Sequence, residues 1–113
     1  MEINKKDMIS LNIEIGEKGE FHNESSLDFA LGIIKQKKSW LYELSYLARS
    51  MLADRAFSEG NKRTALALIL VYLDYEGIEC DKQKMVEMVH KISKKSIDDI
   101  NKIARLIRNG AIH

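Results

Sequence analysis

Glu59-Gly60-Asn61-Lys62-Arg63-Thr64-Ala65-Leu66-Ala67-Leu68-Ile69-Leu70-Val71-Tyr72-Leu73 decides the fold, because a polar turn runs straight into an unbroken apolar stretch. From Ala65 to Leu73 the residues are apolar on every side of a helical wheel, which predicts a helix over Lys62–Glu76, surrounded by others and ended by Gly77. The stretch is too short to span a bilayer, so it reads as the centre of a bundle.

Outward from that helix the chain contains no proline, and its few glycines fall between segments whose apolar residues recur at helical spacing. Trp40–Asp54 carries Leu41, Leu44, Leu47, Ala48, Met51 and Leu52 on one stripe, with Glu43 and Arg49 expected outside. Before it, Ser25 is the expected cap of a helix that turns Leu27, Ala30, Leu31 and Ile34 inward and closes on Lys35, Lys37 and Lys38. A first helix is expected to start with Asn4 as cap and Asp7 three residues on, to present Met8, Leu11 and Ile15, and to stop at Gly16. Towards the other end, Asp81 caps a helix with Met85, Val89 and Ile92 inward. The box Ser96-x-x-Asp99 then opens a last helix, burying Ile97, Ile100, Ala104 and Ile107 and stopping at Gly110. The fold class expected is all-α: one compact bundle over residues 1–113, with about six helices around a central buried one.

Composition narrows the classes of function. A length of 113 residues with 45% hydrophobic content can bury one core without disulfide or metal staples. Eighteen Lys plus Arg against seventeen Asp plus Glu give a net charge of +1, which lacks the basic excess of a nucleic-acid-binding module. The basic strip Lys102, Arg105 and Arg108 reads as cations favoured near a helix C-terminus. A single cysteine, Cys80, excludes an intrachain disulfide and a cysteine-based zinc cluster, and fits a reducing, cytoplasmic setting. Residues 1–10 lack the apolar run of a signal peptide, so a soluble protein with no membrane partner is expected.

The chemistry concentrates before the apolar helix. Gly60 permits a positive φ and close approach of the backbone, so that successive N–H groups form an anion nest at the helix's positive end. Lys62 adds a point charge, Arg63 a planar fork for phosphate oxygens, and Glu59 a hard oxygen ligand for a nucleotide-bound magnesium ion. Phe57, the large apolar residue of the loop, is expected to be buried and to pin its shape at a gain of roughly 2–3 kcal/mol. The same letters also read as a plain turn and helix start, with Asn61 as cap and Lys62 and Arg63 in water.

The segment Phe57-Ser58-Glu59-Gly60-Asn61-Lys62-Arg63-Thr64 closely resembles the core of the Fic/Doc motif, His-x-Phe-x-[Asp/Glu]-[Gly/Ala]-Asn-[Gly/Lys]-Arg. Ser26–Leu31, the small-residue-rich Trp40–Asp54 segment and Ala65–Ile78 resemble the order of segments in the short, Doc-like (death-on-curing) branch. The resemblance implies an all-helical bundle that binds ATP with Mg2+. In it Glu59 would sit near the metal, Gly60, Asn61, Lys62 and Thr64 would line the phosphate pocket, Arg63 would hold a phosphate and Phe57 would anchor the loop. Lys62 and Leu66 stand where nucleotidyl-transferring (AMPylating) members usually have glycine and a second arginine, which points to the phosphotransferring branch. Members of that branch are toxins that phosphorylate a translation elongation factor and are neutralised by an antitoxin. The family's inhibitory motif is matched only in part by Ser10–Glu14, since Ile15 follows the glutamate.

Arg55 occupies the position of the family's catalytic histidine. A guanidinium stays protonated and has no acceptor lone pair, so it cannot take the proton of a target hydroxyl. Asp54 is adjacent, but one residue along a helix is a rotation of about 100°, which turns its carboxylate away. His22, His90 and His113 lie elsewhere in the chain. Three readings follow: a nucleotide-binding protein impaired as a transferase, an active phosphoryl or AMP transferase with an unexpected base, and a non-catalytic protein-interaction module.

Overall fold

Helical spacing in the sequence becomes six α-helices in a computed structural model that describes residues 1–112. They are α1 (Lys5–Glu14), α2 (Glu24–Ile34), α3 (Trp40–Leu52), α4 (Asn61–Tyr75), α5 (Lys82–Lys95) and α6 (Ile100–Gly110). Two short strands, β1 (Glu79–Cys80) and β2 (Ala111–Ile112), pair antiparallel and tie the segment after α4 to the end of α6. All six helices contribute to one hydrophobic core, and no described helix is long and apolar enough to cross a membrane.

The most enclosed helix is α3 rather than α4. It packs against α2, α4, α5 and α6, whereas α4 leaves Val71 and Tyr75 exposed. Polar residues disguised α3 in the sequence. Ser45 and Ser50 are buried because their hydroxyls donate to the carbonyls of Leu41 and Leu47, each at 2.6 Å. Glu43, expected outside, is also buried and accepts a hydrogen bond of 2.6 Å from the Tyr72 hydroxyl on α4. Burial foremost, and then the bond to Glu43, push that hydroxyl above the ordinary tyrosine range. Arg49 does face outward, its guanidinium lying over the rings of Tyr46 and Phe29.

Several boundaries differ for local reasons. Asn4 and Asp7 form the expected capping box of α1. The cap of α2 is Asn23, whose side chain accepts from the Ser26 N–H, while Ser25 donates its hydroxyl to that same Asn23 oxygen. Ser96 does not open α6: it takes φ 49° at the C-terminus of α5, and Asp99 alone caps α6. Ile103 is fully buried where Ile100 is only half-buried. Gly110 is the last helical residue rather than a stop. A Cβ there would lie 2.8 Å from the Met85 Cε, so close packing of α6 on α5 is what favours glycine.

Candidate phosphate-binding cleft

The loop between α3 and α4 is held from three directions. Phe57 is completely buried and stacks on Phe21, with centroids 5.1 Å apart and rings 16° from parallel. Around that stack the segment before α2 runs antiparallel to the loop. The N–H groups of His22 and Asn23 donate to the Ala56 carbonyl at 2.8 and 3.0 Å, and the Ser58 N–H donates to the Glu20 carbonyl at 2.9 Å. Within the loop, the Asn61 side chain accepts from the Phe57 N–H at 3.0 Å and donates to the Phe57 carbonyl at 2.8 Å.

The third support comes from α1. Asn12, one per cent exposed, donates to the Glu59 carbonyl at 3.1 Å and to the Thr64 hydroxyl at 3.0 Å, and accepts from the Gly19 N–H at 2.8 Å. A buried amide is retained when its donors and acceptors find partners, as these do. Gly60 completes the turn with φ 75° as the N-cap of α4, and no side chain caps that helix end. Asn61 therefore braces the loop as the first residue of the helix instead of capping it.

These supports present an open cleft of about 490 Å³. Arg55, Glu59, Gly60, Asn61, Lys62 and Arg63 all reach its lining, together with Ser58 and the Phe57 that anchors the loop. Lys62 and Glu59 are exposed. Arg63 is engaged: one guanidinium nitrogen donates to the Ile15 carbonyl at 3.1 Å and the other pairs with the Glu17 carboxylate. Arg55 is exposed on a backbone with φ 54°, the left-handed region that L residues adopt at a cost of about 1–2 kcal/mol.

Not every expected residue meets there. Thr64 is fully buried behind the loop, its hydroxyl bound by Asn12, and does not line the cleft. Asp54 is held away, as its carboxylate accepts from the Ser26 hydroxyl at 2.6 Å. The reason is not helical rotation, since α3 ends at Leu52. His90 lies on the exposed side of α5, and His113 lies outside the described residues. Three residues that meet this loop or its cleft went unread in the sequence as members of the site: Asn12, Glu17 and His22. All three come from the segment preceding α2, and only long-range pairing brings them in.

The arrangement suits a phosphate chain better than a bare ion. Among the described residues no three metal-ligating side chains cluster, so a divalent cation would have to arrive with its own oxygen ligands. Glu59 is the exposed carboxylate beside the uncapped N-terminus of α4, and Lys62 supplies charge next to it. The residues could accommodate a magnesium-bound nucleotide: Glu59 is the carboxylate that would hold the ion, and Lys62 and the α4 N–H groups, with Arg63 once released from Glu17, would hold phosphates. No protein-family model matches the chain, and no curated protein sequence is similar to it.

Proposed function

We propose that the chain binds the phosphates of a magnesium nucleotide, ATP first, in the cleft formed by Phe57–Lys62 and Arg63, and that its ancestral activity is transfer of a phosphoryl group to a protein hydroxyl. One observation carries the reading: Glu59, Lys62 and Arg63 converge on one cleft at a helix N-terminus that no side chain caps. The resemblance to Doc-like toxins supplies the reaction class, the toxin role and the elongation-factor and antitoxin partners, and the single Cys80 supports the cytoplasmic setting. Arg55 lies on the same cleft and cannot serve as base, so transfer through that position is lost.

Calorimetric titration with magnesium-ATP tests the binding. Heat and saturation are expected for the wild type, with weaker binding for Arg63→Ala. Absence of both heat and thermal protection at millimolar nucleotide refutes the reading.

A further inference from the structure

We propose that His22 is the catalytic base of this cleft, taking the proton that Arg55 cannot. The inference rests on the phosphate-site reading above and deepens it. His22 belongs to a different segment from the loop, yet its backbone N–H is fixed to the Ala56 carbonyl at 2.8 Å, adjacent to Arg55 in the chain. The neighbouring Phe21–Phe57 stack anchors that pairing in the core. The imidazole is exposed and lines the same cleft as Arg55, Glu59 and Lys62.

Other proton acceptors on the cleft are committed. Glu17 is paired with Arg63, and Glu59 is the oxygen ligand assigned to the cation. Asp54 lies off the cleft, bound to Ser26. His22 is the one imidazole among the described residues lining the cleft, and it brings an acceptor ring nitrogen of the kind most often used in general-base catalysis.

The step is an in-line displacement with ATP as phosphoryl donor and a hydroxyl, from protein or water, as acceptor. The hydroxyl oxygen bonds to the γ-phosphorus while its proton passes to the free ring nitrogen of His22. The bond from that phosphorus to the β,γ-bridging oxygen breaks and its electron pair leaves with ADP. The proton then passes from the imidazolium to solvent.

Water as acceptor makes the test independent of any protein target. Phosphate release from magnesium-ATP is measured for the wild type, His22→Gln and the control His90→Gln, each alongside its ATP affinity by calorimetry and its melting temperature. His22→Gln should bind ATP as the wild type does and lose roughly 10²–10⁴-fold in rate, whereas His90→Gln should match the wild type. The acid limb of the wild-type pH–rate profile should disappear in His22→Gln; Glu17, Arg55, Glu59, Lys62 and Arg63 are the charged groups that line the cleft with the imidazole. ATP binding without phosphate release in the wild type, or an unchanged rate or profile in His22→Gln, overturns the role of His22 and leaves the binding site standing. Failure of the wild type to bind ATP removes both.

Discussion

Replacing Asn12 by alanine removes a buried side chain that ties helix α1 to the end of the α3–α4 loop and to the first turn of α4. Three hydrogen bonds are lost, to the Glu59 carbonyl, the Thr64 hydroxyl and the Gly19 N–H. Each is worth about 1 kcal/mol net, so the protein should lose about 3 kcal/mol. That is a large part of the roughly 5–15 kcal/mol typical of a domain, and corresponds to a fall in melting temperature on the order of 12 °C. Urea unfolding measures the loss. Amide hydrogen exchange localises it, since Gly19 should lose its protection while the α3 amides keep theirs relative to global stability. Thr64→Val, which removes the hydroxyl at almost constant shape, should couple to Asn12→Ala by about 1 kcal/mol in a double-mutant cycle. A loss below about 1 kcal/mol, or zero coupling, would refute the bracing role.

Tyr72→Phe leaves the buried Glu43 carboxylate without its donor and should cost about 1–3 kcal/mol by urea unfolding. Because the folded-state pKa of Tyr72 is raised, its contribution is complete below the unfolded tyrosine value of about 10 and is lost as pH climbs above it. Tyr72→Phe should therefore flatten the alkaline fall in stability, and an unchanged fall would contradict the assignment. Gly60→Ala sets a Cβ 2.6 Å from the Glu17 Cγ on a backbone at φ 75°, and should cost at least about 1–2 kcal/mol by urea unfolding. Glu17→Ala releases Arg63 from an exposed ion pair worth about 0.5–1 kcal/mol, so magnesium-ATP affinity should rise about two- to fivefold in the same calorimetric titration; weaker binding would mean that Glu17 assists the ligand.

Helical spacing carried most of the architecture, because each helix hides one face and the 3.6-residue period is written locally. What spacing could not show is which helix lies deepest. Ser45 and Ser50 satisfy themselves against their own helix, and Glu43 is satisfied by a residue on α4, so their polarity read as a solvent face. The strands were invisible for another reason, since two residues cannot display alternation. At the cleft the contiguous residues Glu59 to Arg63 could be grouped because they are adjacent in the chain, and all five reach its lining. Glu17 and His22 could not, because their place there depends on an antiparallel contact between residues 20–23 and 56–58 that no local pattern announces. Thr64, counted with its neighbours by adjacency, faces the other way because it is on the buried side of the first turn of α4.

The left-handed backbone at Arg55 bears on the history open to this chain. Histidine, asparagine and aspartate are several-fold enriched at positive φ, and arginine has no such affinity. The conformation at φ 54° is thus one that imidazole-bearing residues adopt more readily than the residue now present. Because the position is exposed, exchange to histidine meets neither a packing obstacle nor a new backbone penalty. The scaffold itself therefore does not select arginine at this position. A lineage carrying this fold could cross between the two residues in either direction without passing through an unstable intermediate.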